Sequence, residues 1–193
     1  MSSRTTKNIR NKGPVIVVSG PPGSGKTTYA KKLSKNFGLE YYTTGQIFRE
    51  LAKKLGYTLE EFSRVAEKDP KIDFLIDSTT LEYARKGGVV IDSHLAAWVL
   101  AGIADISILV KAHPLVRAQR IVSREQKDKW TTIRETFTRE LSQYKRFKEY
   151  YGFDLLDYSL FDIVVDTSVL GVDEVYQVIE SFVRLKLKKL GYL

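Results

Sequence analysis

A chain of 193 residues with 43% hydrophobic content carries one domain, with a core large enough to need no cross-links. It has no cysteine and two histidines, His94 and His113, which excludes a disulfide framework, a Cys-ligated zinc and a thiol nucleophile. The net charge of +8 is confined to the ends, where Arg4, Lys7, Arg10 and Lys12 and then Arg184, Lys186, Lys188 and Lys189 leave a balanced middle. Solvated basic ends are expected, residues 1–12 being a basic disordered tail, with a nucleic-acid arm as the alternative. No apolar run of membrane-spanning length and no signal-peptide core occur, so a cytoplasmic protein with no membrane partner is expected.

The predicted elements alternate. Residues 14–19, PVIVVS, form a β-branched apolar run short enough for a buried parallel strand. A glycine-rich turn follows, then a helix over 26–37 closed by Gly38. Residues 39–42 read as a short strand and 44–55 as a helix ending at Gly56. Thr58 opens the next helix, with Glu61 three residues later as in a capping box. Asp69-Pro70 opens another, Asp69 as the cap and Pro70 in the first helical position, ending at Gly87-Gly88. Strands are predicted at 89–92 and 106–110, and His113-Pro114 starts a helix to about Gln126. A polar, aromatic-dotted helix covers 131–151 and a last strand 162–166. The closing helix, 172–190, has Val175, Ile179, Phe182 and Leu185 or Lys186 in helical rhythm. Such alternation predicts a parallel α/β sheet covered on both faces, with ligands at the carboxyl ends of its strands.

The segment Gly20-Pro21-Pro22-Gly23-Ser24-Gly25-Lys26-Thr27 matches G-x-x-x-x-G-K-[ST] and lies between a predicted strand and helix, the context the motif requires. Its glycines let backbone N–H groups converge on a phosphate, and the helix start, continuing through Thr28, adds unpaired donors. Lys26 is expected to reach the β- and γ-phosphates, and Thr27 to meet Mg²⁺ together with Asp92, which ends an apolar strand. ATP and Mg²⁺ are therefore the expected cofactors. Arg117, Arg120 and Arg124 share one helix face. Like charges at that spacing repel, and a bound polyphosphate would reverse the effect; a solvated basic face is the alternative.

Residues 43–49, TTGQIFR, resemble the TG-x-x-x-R segment of nucleoside monophosphate kinases, and Arg120 and Arg124 resemble the R-x-x-x-R that begins their mobile lid. Residues 51–73, the LAAW at 95–98 and the block 138–154, with Arg139, Gln143, Arg146 and YGFD, are similar to archaeal-type cytidylate kinases. The likeness runs from about Val15 to the final helix. It implies a three-layer P-loop kinase fold with a five-stranded parallel sheet in a single domain over 13–193. A small helical insert at 44–87 would take the monophosphate, and a helical lid would span about 125–150. The implied reaction is transfer of the γ-phosphoryl of ATP to CMP, with dCMP as a further acceptor, by a monomer. Thr44, Arg49, Arg139, Gln143 and Arg146 become acceptor-side residues, and Lys26, Arg120, Arg124 and Arg139 the cations around the transferred group.

Two departures stand out. Where related kinases carry a Gly-Arg or Gly-Phe-Pro-Arg, this chain has Ser93-His94-Leu95, so His94 is expected either to replace the phosphate-binding Arg with a weaker, pH-dependent charge or to pack. Gln143 stands where those kinases usually place an acid. Asp73, Asp77, Ser78 and Thr80 are candidate base readers; Phe48, Phe62 and Phe74 are stacking rings or core. Another acceptor (AMP, UMP or a small alcohol) and a non-catalytic nucleotide- or RNA-binding module are the alternatives.

Overall fold

The structure, a computed structural model, describes residues 13–124 and 128–193. The expected tail at 1–12 and the junction at 125–127, including the predicted helix end near Gln126, lie outside the described residues. Five strands, β1 (Val15–Ser19), β2 (Glu40–Thr43), β3 (Val89–Asp92), β4 (Ile106–Lys111) and β5 (Ile163–Asp166), form one sheet. Their order is β2-β3-β1-β4-β5, and every pairing is parallel. The expected five-stranded parallel sheet is therefore present.

The apolar runs make this sheet because both of its faces are covered. Ile16, Val18, Val90, Ile106, Ile108 and Val110 point one way, against α1 (Lys26–Phe37) and α8 (Val172–Leu190). Val15, Val17, Val89 and Ile91 point the other way. They meet Ala84 of α4 (Lys71–Lys86), Trp98 of α5 (Ala96–Val99) and Phe147 of α7 (Lys129–Tyr151). Each fully buried Val, Ile or Leu contributes about 1.5–3 kcal/mol of transfer free energy. Between β2 and β3 lie α2 (Thr44–Lys54), α3 (Leu59–Ala66) and α4; α6 (Pro114–Arg124) follows β4.

Several boundaries differ from expectation for identifiable reasons. Strand β2 lies one residue later, at 40–43, where its register with β3 fixes it. Helix α4 begins at Lys71, with Asp69 accepting from the Lys71 N–H at 3.0 Å; Pro70 is the cap rather than the first helical residue. Helix α7 starts two residues early because Asp128 caps it, accepting from Thr131. Helix α5 was not predicted: one turn is too short to show a period, although Ala96, Ala97 and Trp98 are all buried. In α8 the buried stripe is Val175, Ile179, Val183 and Leu187. Phe182 packs at its edge, whereas Leu185 is 69% exposed and Lys186 pairs with Asp162. The capping box at Thr58 and Glu61 forms as expected.

Candidate active site

Parallel strands bring all their carboxyl ends to one edge, so Ser19, Thr43, Asp92 and the residues after β4 and β5 open on the same side. The turn from β1 into α1 lies there, and it is made by glycine. Gly20 and Gly23 have φ of 154° and 79°. A Cβ on Gly20 would sit 2.1 Å from the Val110 carbonyl oxygen, and one on Gly23 2.7 Å from that of Arg117. The loop is thus pressed against β4 and α6 as backbone, a placement no larger residue allows. Helix α1 has no side-chain cap at Gly25, leaving its first N–H groups open to an anion. The buried Ser24 hydroxyl has no hydrogen-bond partner among the described residues.

Lys26 begins α1 at the floor of the cleft. Burial lowers its pKa; the Asp92 carboxylate opposes that shift, and the nearby Arg124 and Arg139 reinforce it. Lys26, Arg124 and Arg139 therefore stand near one another around the cleft, with the carboxylates of Asp92 and Glu140 close to Lys26 as well. Asp92 closes β3, with Oδ2 accepting from Thr27 Oγ1 at 2.5 Å and from the Tyr41 hydroxyl at 2.8 Å. Its Oδ1 is buried and has no partner among the described residues. Burial and the Asp92 charge raise the Tyr41 pKa, so the phenol stays protonated as a donor. A hydroxyl beside an orphaned carboxylate oxygen, under a phosphate-binding turn, fits Mg²⁺, which takes a few protein oxygens and completes its shell with phosphate and water.

The three arginines of α6 divide. Arg117, 6% exposed, donates to the Pro22 carbonyl at 3.0 Å and pairs with Glu140 at 2.9 Å, bracing the loop against α7. Arg120 donates to Thr167 Oγ1 at 2.9 Å, to the Thr167 carbonyl at 2.5 Å and to the Gly23 carbonyl at 3.4 Å. Thr167, just past β5, in turn donates to the Ser24 carbonyl at 2.9 Å. Arg124 lines the cleft with Lys31 and Tyr41.

That cleft, of about 480 Å³, runs without a break from Gly23, Gly25, Lys26, Thr27 and Thr28 to Thr44, Arg49, Arg139 and Gln143. Thr44 donates to Ser93 Oγ at 2.9 Å, tying the start of α2 to the end of β3. Gly45 leaves room for the Arg49 guanidinium, whose nearest nitrogen would lie 3.4 Å from a Cβ there. On α7, Thr136, Arg139, Gln143, Arg146 and Phe147 share one face and line this cleft or the pocket adjoining it.

The adjoining pocket, about 60 Å³, is walled by α2, α4 and α7. Its polar side chains are already paired. Arg146, 1% exposed, binds Asp73 at 2.8 Å and Ser142 Oγ at 3.0 Å. Tyr151 donates to Asp77, whose pKa burial pushes up to about 6. Of the four candidate base readers only Asp73 and Asp77 reach this pocket; Ser78 and Thr80 donate to the carbonyls of Leu75 and Ile76 in their own helix. Phe48 lines the pocket, its ring centroid 4.8 Å from that of the fully buried Phe62, which is core; Phe74 is 49% exposed.

The two departures noted in the sequence touch each other. His94 Nδ1 lies 2.9 Å from Gln143 Oε1. Burial drives the His94 pKa down to about 4, so the ring is neutral at physiological pH. The expected substitute positive charge is therefore not present, because desolvation outweighs the partners that would favour protonation. Periodicity did not single out Tyr41, Ser93, Thr167 or Tyr151. The signal for Tyr41 lay in its two-residue offset from the residue opposite Asp92, which is readable only once the β2–β3 register is known.

Known proteins share these features in different degrees. A family profile described as an AAA domain matches residues 19–136. The shikimate kinase of Bacteroides thetaiotaomicron superimposes with a TM-score of 0.58 over 89% of this chain and 98% of that one, at 14% identity, which is a likeness of fold. The cytidylate kinase of Staphylothermus marinus is 48% identical over 175 residues, 91% of this chain and 99% of that protein. That of Aeropyrum pernix is 52% identical over 163 residues, 84% of this chain and 95% of that one. Agreement at about half of all aligned positions, over almost the full length of both partners, extends far beyond the phosphate loop: the chain belongs to the cytidylate kinase family.

Proposed function

We propose that the protein transfers the γ-phosphoryl of ATP to CMP, with dCMP as a second acceptor, giving CDP and ADP. One observation supports it above the rest: a single cleft joins the phosphate loop to Thr44, Arg49, Arg139 and Gln143, so donor and acceptor can lie end to end. The likeness to cytidylate kinases supports cytosine as the base.

The chemistry asks little of proton transfer, because the attacking acceptor oxygen is already anionic. Two polyanions must instead be held together while charge spreads over the moving group, a task for positioning and fixed cations. The loop N–H groups and Lys26 hold the β- and γ-phosphates. Arg49 takes the acceptor phosphate, and Arg139 lies between donor and acceptor. Arg124 faces the transferred group from the end of α6, and Arg120 holds the loop and Thr167 in register. Thr27 and Asp92 are the residues that would hold Mg²⁺, which when bound neutralises charge on the β- and γ-phosphates. His94 and Gln143 offer a neutral, hydrogen-bonding wall to the acceptor, and Asp73, Asp77 and Arg146 surround its base. Helices α2 to α4 form the monophosphate insert, and α7 closes over the cleft to exclude water. All these residues come from one chain, so a monomer suffices.

ADP release measured with ATP–Mg²⁺ and one monophosphate at a time (CMP, dCMP, UMP, AMP, GMP) tests the proposal. The strongest signal is expected with CMP. Signal with AMP alone would overturn the acceptor assignment, and silence across the panel would overturn monophosphate transfer itself.

A further inference from the structure

We infer that Tyr41 is a positioning residue for the metal side of the cleft: its hydroxyl, together with Thr27, pins one oxygen of Asp92 and so presents the other. The inference rests on the proposed roles of Thr27 and Asp92.

The argument begins with register. Tyr41 stands opposite Val90, and Thr43 opposite Asp92, so Tyr41 is the diagonal neighbour of Asp92 on the same face of the sheet. A tyrosine is long enough to cover that diagonal, and its hydroxyl reaches Asp92 Oδ2 at 2.8 Å. Its ring is held in turn: it packs at the edge of the α1-side core, with Lys31 Nζ 5.5 Å from its centroid. The alternation that directs Tyr41 to this face sends Tyr42 to the opposite one, beside Tyr83.

Thr27 donates to the same oxygen, so Asp92 Oδ2 receives two hydroxyl groups while Oδ1 receives none among the described residues. The terminal torsion of an aspartate is broad, and a single donor at one oxygen leaves the carboxylate free to swing. Two donors arriving from different elements, a strand and a helix start, define its plane. Thr27 cannot do this alone, because its own oxygen lies where a cation would draw on its lone pairs. Tyr41 supplies a hold that does not compete with the cation. Partners that orient a metal-binding carboxylate in this way change metal affinity by about 10–100-fold when removed. Here the ion is also held by phosphates, so the lower end of that range applies.

The test is Tyr41→Phe, which keeps the ring and its packing and removes only the hydroxyl. ADP binding is measured by calorimetry for both proteins, once in EDTA and once in saturating Mg²⁺. Mn²⁺ is then titrated against each protein with ADP present, and the free ion is followed by electron paramagnetic resonance. The expected result is equal ADP affinity in EDTA. About tenfold weaker Mn²⁺ binding by the variant is expected, with loss of most of the affinity that Mg²⁺ adds for the parent. Equal Mg²⁺ and Mn²⁺ responses in the two proteins would overturn the inference, as would a lowered melting temperature with an unchanged metal response, which makes Tyr41 a packing residue. No Mg²⁺ gain in the parent itself would instead overturn the assignment of Thr27 and Asp92, and the role of Tyr41 with it.

Discussion

The two ends of the cleft are built by opposite means. At the donor end the work falls to backbone: eight consecutive residues, Gly20 to Thr27, wrap a space left open by glycine, and two buried polar atoms beside it, Ser24 Oγ and Asp92 Oδ1, have no partner among the described residues. At the acceptor end the work falls to side chains drawn from α2, α4, α7 and the turn after β3, and these are bound to one another: Arg146 to Asp73, Tyr151 to Asp77, His94 to Gln143. The donor end is open. The pocket among the acceptor pairs holds about 60 Å³, room for about two water molecules. That pocket adjoins the cleft of about 480 Å³, which runs from the phosphate loop past Thr44, Arg49, Arg139 and Gln143.

That contrast can be broken by exchanging what each end is good for. The largest effect is expected from Arg146→Ala. It leaves Asp73 buried and unpaired between α4 and α7, and a loss of about 3–5 kcal/mol of stability is expected in denaturant titrations. A loss below about 1 kcal/mol would mean that the pair does not hold the helices together. Next comes Lys26→Ala at the donor end. It should lower kcat by at least about a hundredfold, because Lys26 is the cation that the phosphate loop itself carries at the start of α1, and move the melting temperature by only a few degrees. If Lys26→Ala unfolded the protein and Arg146→Ala only slowed it, the division between a preformed donor end and a side-chain-built acceptor end would be wrong.

The smallest effect sharpens the comparison. Burial holds the Asp77 pKa near 6, above its ordinary 3.8, so the folded protein favours the neutral carboxyl. The penalty for ionising it is absent below pH 3.8, grows as the pH rises and is complete above about pH 6. Asp77→Asn cannot ionise and still accepts from Tyr151. It should therefore be more stable than the parent by about 1–2 kcal/mol at pH 7.5, allowing for partial exposure, and by almost nothing at pH 4. Thermal denaturation at the two pH values reads the difference directly; an equal effect at both would show that Asp77 does not carry the charge penalty.

The same division explains what could be read from the chain. The donor end is contiguous, and each residue type has a local reason, so Gly20 to Thr27 and the strand before them were legible at once. Asp92 was legible because it ends an apolar run. The acceptor end was legible only as a set of candidates. Arg146 and Asp73 lie 73 residues apart, and nothing local says that they neutralise each other. His94 was legible only as a replacement charge or a packed ring, because its sequence neighbours do not reveal the burial that lowers its pKa. Arg117 shares a face with Arg120 and Arg124, yet its contacts come from Pro22 and Glu140, on a loop and a helix that the spacing cannot bring together. In α8, apolar residues on both sides of the true stripe made Leu185 look inward, and only packing against β4 and α1 selects Val183 and Leu187.

The central place of β1 sets the order in which the molecule can acquire its site. β1 precedes the other four strands of the sheet in the chain, but its partners start at Val89 and Ile106, and β5 closes on β4 only at Ile163. Every one of these parallel pairings spans a long stretch of chain whose closure entropy must be met before any contact rewards it. The phosphate loop is therefore present in the nascent chain as sequence long before it exists as a cradle, because Val110 and Arg117, against which Gly20 and Gly23 are pressed, arrive about ninety residues later. Nucleotide is a ligand of the finished fold alone: it deepens the native state by mass action and offers no template to the chain on its way there.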